Sequence, residues 1–122
     1  MKIIDAHMHL PVNYPDLSAK KAGLLREMEK NGVGGAVVIS DSELTSDIGS
    51  MQECMDLLSD AANIWVVGGI SPLIGFREQL AALESGLSGG RLVGIKIYCG
   101  HAPIFLDSGE LAPVFALAEK YG

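Results

Sequence analysis

Clusters of basic residues are missing from this chain. Of its 122 residues, 9 are Lys or Arg and 15 are Asp or Glu, giving a formal charge of −6. The cations never gather into a stretch that would follow a phosphate backbone or an anionic lipid surface. Neither nucleic acid nor a membrane is therefore an expected partner. Cysteine is scarce as well: Cys54 and Cys99 are too few for a disulfide scaffold and form no CxxC pair, which suits a reduced compartment. No run of about 18 apolar residues is present to span a bilayer. The opening residues, Met1 to His7, lack the apolar core and small-residue cleavage site of a signal peptide. The expected location is the cytoplasm. Neither GxxxxGK[ST] nor GxSxG occurs. The glycine cluster Gly32-Val33-Gly34-Gly35 leads from a helical pattern into a strand, the reverse of the order a phosphate-cradling loop needs, so no nucleotide site is expected.

What is present is apolar: 48% of the residues are hydrophobic and 20% charged, enough to pack a core and too apolar for intrinsic disorder. The length fits one small domain over residues 1–122. Short stretches rich in Val and Ile predict strands at Ile3 to Met8, Gly35 to Ser40, Ile64 to Ile70 and Leu92 to Tyr98. Helical patterns separate them. The first opens at Ser18 as a capping serine, carries Ala22, Leu25 and Met28, and stops at Asn31-Gly32. The second starts from Ser50 with a stripe of Met51, Cys54, Met55, Leu58, Ala61 and Ala62; the third carries Phe76, Leu80, Leu83 and Leu87. The fourth spans Glu110 to Tyr121 with Leu111, Val114, Phe115 and Ala118 inward. Four βα units of about 30 residues predict parallel strands joined by right-handed crossovers. That is half of a (β/α)8 TIM-type barrel, which typically takes about 250 residues. A small open doubly wound sheet is the other parallel arrangement four units can build.

The chemistry concentrates on the first strand. In Ile3-Ile4-Asp5-Ala6-His7-Met8-His9-Leu10, strict alternation sets Asp5, His7 and His9 on one face, and Ile4, Ala6, Met8 and Leu10 on a face that should pack on helices. Two imidazoles at i and i+2 near the C-terminal end of a parallel strand can reach one ion, and Asp5 can orient one of them. Strand four carries Lys96 on the face it shares with Gly94 and Tyr98, opposite Val93, Ile95 and Ile97. A lysine there requires a partner, whether a substrate anion, Asp5, or a metal once carboxylated. In the loop beyond it, His101 and Cys99 stand where a pocket would be lined, and Asp41, Ser42 and Glu43 follow strand two on the same side.

Ile4-Asp5-Ala6-His7-Met8-His9, the strand Gly94-Ile95-Lys96-Ile97-Tyr98 and the helix from Leu111 to Gly122 together resemble the N-terminal half of the metal-dependent amidohydrolase superfamily. The resemblance is to its amidohydrolase-related branch, which includes aminocarboxymuconate-semialdehyde-decarboxylase-like proteins. It implies a distorted (β/α)8 barrel that uses a divalent ion to hydrolyse C–N or similar bonds of small molecules, or to decarboxylate them. It further implies His7 and His9 as metal ligands and a catalytic setting for Asp5 and Lys96. Lys96, Tyr98 and His101 would meet substrate. Zinc is the expected ion and manganese the alternative. Cys99 and His101 depart from the proline and aromatic residue that this branch more often shows. The family's later histidines, on strands five and six, and its strand-eight aspartate have no counterpart among these residues. Because a catalytic zinc site takes three protein ligands and a water, this chain alone is expected to be inactive. Either a C-terminal half or a second copy would complete it. A non-catalytic βα binding module is the alternative from outside the enzymes.

Overall fold

A computed structural model describes residues 3–122. Four strands alternate with four helices: β1 (Ile3–Met8), α1 (Leu17–Lys30), β2 (Val33–Ile39), α2 (Met51–Leu57), β3 (Ile64–Gly69), α3 (Phe76–Ser88), β4 (Gly94–Lys96) and α4 (Ala112–Tyr121), the last preceded by a 3-10 turn at Gly109–Leu111. All the strands are parallel and ordered β1-β2-β3-β4. A sheet that advances one way throughout never reverses, so the doubly wound alternative is excluded; the sheet curls as half a barrel does. Each helix packs beside the next, α1 on α2, α2 on α3 and α3 on α4, in one layer. A single core lies between that layer and the sheet, built around Leu24, Ala36, Val38, Cys54, Met55, Val66, Leu83, Leu111 and Val114. No helix among the described residues is long and apolar enough to cross a membrane.

Local chemistry explains the helix boundaries. α1 is capped by Asp16, whose carboxylate accepts from the Ala19 amide at 2.8 Å, two residues ahead of the expected Ser18. Starting there, the helix buries Lys20, Gly23, Leu24 and Met28 and leaves Ala22 and Leu25 exposed, which shifts its inward stripe from the expected one. Lys20 is accommodated because its ammonium donates to the Asp47 carbonyl. α2 begins in a full capping box between Ser50 and Glu53 and ends at Leu57, so Ala61 and Ala62 fall in the following turn. In α4, Phe115 and Ala118 are exposed and Leu117 is half-buried in their place; the buried flank follows Leu111 and Val114. β4 is only three residues long, against the seven expected: its ladder to β3 runs from Gly94 to Lys96.

The consequential departure is in β1. Ile4 pairs with Gly35 and Asp5 with Ala36, but Met8 pairs with Val38. Three steps along β1 therefore match two along β2, which defines a bulge around Ala6 and His7. Ala36 and Val38 both point into the helix-side core, so Asp5 and Met8 share that face, and strict alternation fails between them. Ile4 lies on the opposite, inner face, where a side chain on Gly35 would meet both Ile4 and Trp65. Ile4 and Ala6 are consequently exposed rather than packed on helices.

Candidate metal centre

The bulge turns His7 and His9 together toward the inner side of the sheet. Their Nε2 atoms stand 3.3 Å apart and the rings meet edge to face. The His7 amide, freed from the ladder, donates instead to Asp5 Oδ1 at 2.9 Å. Asp5 thus holds the backbone of the bulge from the other face and does not orient an imidazole. A short carboxylate satisfies the main-chain donor two residues on more readily than it reaches a ring across the sheet.

His9 Nδ1 lies 2.7 Å from the carbonyl oxygen of Ile39, the last residue of β2. A carbonyl only accepts, so Nδ1 carries the proton, and the Nε2 of neutral His9 presents a bare lone pair toward His7. Among the described residues no bond sets the tautomer of His7: its Nε2–H can donate to the His9 lone pair across the 3.3 Å, or both lone pairs can face one cation. Nitrogens each about 2.0–2.1 Å from one tetrahedral ion stand about 3.3–3.4 Å from each other. The observed spacing equals that edge, and the backbone hydrogen bond is the usual outer support of a metal-binding imidazole. Among the described residues, no third His, Cys, Asp or Glu joins the pair to make a ligand group.

The two rings open into a cleft of about 370 Å³ at the C-terminal ends of the strands, lined also by Asp41, Lys96, Tyr98 and His101. The side on which parallel α/β folds place their sites is thus the side where these residues meet. Lys96 is half-buried on the inner face of β4, paired with Gly69. Its ammonium sits 5.3 Å from the centre of the Tyr98 ring, and the Tyr98 and His101 rings stack at 5.6 Å. A salt bridge from Lys96 to Asp5 is ruled out by topology: β1 and β4 are the two outermost strands, and Asp5 belongs to the helix-side face. Among the described residues, Lys96 makes no ion pair. Its charge is left to the cleft. Cys99 is half-buried against the core and is not part of the cleft lining.

Asp41 is the lining residue that sequence reasoning undervalued, because a carboxylate after a strand reads equally well as a solvated turn. The available signal was its position, immediately beyond the C-terminal end of β2. Its carboxylate accepts from the Ser42 amide at 2.7 Å and the Ser46 hydroxyl at 2.6 Å. Burial pushes its pKa up, but those two bonds, the Glu43 amide and nearby His101 together outweigh burial and hold it below the ordinary value. Gly69 forms the floor beside it. A Cβ there would fall 2.4 Å from the Ser40 carbonyl oxygen, so only glycine lets the ends of β2 and β3 come this close.

Compared with known protein families, curated proteins and solved structures, the chain matches none.

Proposed function

We propose that the chain forms the first four βα units of a metal-dependent hydrolase of the amidohydrolase-related type, acting on a small molecule. In this reading His7 and His9 are two ligands of one divalent ion, zinc in preference to manganese. The observation that carries it is the 3.3 Å between two Nε2 atoms, one with its tautomer set by the Ile39 carbonyl. A divalent ion held there supplies Lewis acidity, which polarises a carbonyl and acidifies water.

The remaining work falls to the chain's own groups. Asp5 keeps the bulge in place and so keeps the two rings convergent. Ile39 holds His9 in the tautomer whose Nε2 can donate its lone pair. Lys96, without a carboxylate partner, provides the charge that receives an anionic group of the substrate, and the stacked Tyr98 and His101 offer it a flat wall. With two protein ligands in place of three, the chain by itself binds the ion weakly and turns over no amide or ester above background.

Zinc titration by calorimetry tests the reading. One zinc per chain is expected, lost in the His7→Ala/His9→Ala double variant while the circular dichroism spectrum is preserved. Equal zinc uptake by that variant, or none by the parent, sinks the metal reading and leaves the βα binding module.

A further inference from the structure

We propose that Gln79 is a positioning residue of the cleft: from inside α3 it ties the loops that follow β2 and β3 to each other and aims the Ser42–Glu43 peptide group at Asp41. The proposal rests on the cleft being the site described above, and on no metal.

Gln79 lies one turn ahead of Leu83 on the buried stripe of α3, where an apolar side chain would be expected, and it is 5% exposed. A primary amide buried there costs free energy unless its polar atoms are bonded. Here they are. Its Oε1 accepts from the Ser71 amide at 3.0 Å, and its Nε2 donates to the Ser42 carbonyl at 3.0 Å and to the Ile74 carbonyl. A backbone N–H only donates and a carbonyl only accepts, so these partners fix which end of the side chain is which. Ser71 and Ile74 belong to the loop between β3 and α3, and Ser42 to the loop between β2 and α2. Methionine would fill the same space and make none of these bonds; lysine lacks the acceptor and glutamate the donors.

The bond to Ser42 reaches Asp41 through one peptide unit. The Ser42 carbonyl that accepts from Gln79 shares its peptide group with the Glu43 amide, which donates to Asp41 Oδ1 at 3.4 Å. Hydrogen bonds in series polarise one another, so a donor on the carbonyl strengthens the N–H at the other end and fixes its direction. Packing offers little substitute. From Asp41 to Ile48 no residue is buried, Leu44 is 58% exposed, and a cavity of about 230 Å³ between this loop and α3 is lined by Asp41, Ser42 and Gln79. The ties that hold the loop are polar: the Ser46 hydroxyl on Asp41, the Asp41 amide on the Gly49 carbonyl, Lys20 of α1 on the Asp47 carbonyl, and Gln79 on the Ser42 carbonyl. Of these, the Gln79 side chain alone also grips the loop beyond β3.

Carboxyl-carbon NMR titration of Asp41 in the metal-free full chain reads this clasp. In the parent, Asp41 titrates below the ordinary 3.8; in Gln79→Met it is expected to rise toward that value. The titratable groups around it are unchanged: His7, His9, Lys96 and His101 line the cleft, and Glu43 and Glu78 the cavity on the α3 side. The Glu43 amide should exchange about tenfold faster, the equivalent of one lost hydrogen bond. Leu80→Ala, at the next position of α3 and half-buried against the core, loosens the helix without touching the clasp and is expected to leave Asp41 as in the parent. An unchanged Asp41 titration in folded Gln79→Met overturns the inference, and so does an equal rise in Leu80→Ala. If Gln79→Met does not fold, the parent decides: the Nε2 protons of Gln79 should exchange far more slowly than those of exposed Gln52, and equal exchange overturns it. Zinc titration is a separate measurement. A chain that takes up no zinc can still show the Asp41 rise, and one that binds zinc can fail to.

Discussion

β2 and β3 are hydrogen-bonded on both flanks and covered by α1 and α2, whereas β1 and β4 each have a single neighbour and half-open surfaces. Similar stretches of Val, Ile and Gly behave differently in the two settings. β2 runs seven residues and buries Ala36 and Val38 completely; β4, of like composition, manages three and leaves Val93 outside. The inner units hold most of the core, and the outer units bring residues to the candidate site: His7 and His9 at the end of β1, Lys96 and Tyr98 at β4 and just beyond it. That division is reasonable, because a strand bonded on both sides has little freedom to bulge, and the bulge in β1 is what aims the two imidazoles.

Three measurements sharpen or break this contrast. The largest effect is expected between the cysteines. Burial, with the neighbouring Glu53 charge adding to it, pushes the Cys54 thiol in α2 up to about 12, whereas Cys99, just beyond β4, is half-exposed. Alkylation of native protein at neutral pH should modify Cys99 and leave Cys54 slower than an ordinary exposed thiol by about a thousandfold or more. Comparable rates would mean that the inner unit opens easily. Next in size is the cost of truncation. Leu83→Ala, at a fully buried position in α3, should cost about 3 kcal/mol by urea unfolding. Phe105→Ala, in the exposed loop after β4, should cost less than about 0.5 kcal/mol. Equal costs would erase the distinction between inner and outer units.

The smallest effect concerns Asp41, at the seam between the two regions. Its folded pKa lies below the ordinary 3.8, so its ionised form stabilises the folded chain at pH values above that figure. The contribution disappears as pH falls through the lowered pKa. Asp41→Asn should therefore be slightly less stable than the parent at neutral pH, by under about 1 kcal/mol given the solvent in the cleft. The difference should vanish in acid, once the pH has fallen below the lowered folded pKa and both folded and unfolded carboxylates are protonated. A gap that persisted or widened there would show that the Ser46 and amide bonds do not depend on the charge.

Much of this architecture was legible in the residues. The alternation of βα units, their order and the pairing of His7 with His9 follow from local periodicity, which is a property of ten or fewer successive residues and shows in one dimension. The role of Asp5 was not legible. Its face depends on how β1 lies against β2, about thirty residues away, and one extra residue in that register moves it to the far side of the sheet. The inward stripes of α1 and α4 were misplaced for a related reason. Each has only one neighbouring helix, so half of its apolar residues have nothing to face, and the sequence does not mark which half.

From its sequence alone this chain is committed to parallel strands with intervening helices and to two imidazoles near the end of the first strand, because hydrophobic period and residue spacing act locally. Tertiary structure alone decided the single direction of the sheet, the bulge that converges the rings, the Ile39 carbonyl that sets one tautomer, and the meeting of Lys96 with the histidines across one cleft. Those depend on distances between segments that the chain brings together only by folding, where register and crossover, not composition, determine what touches what.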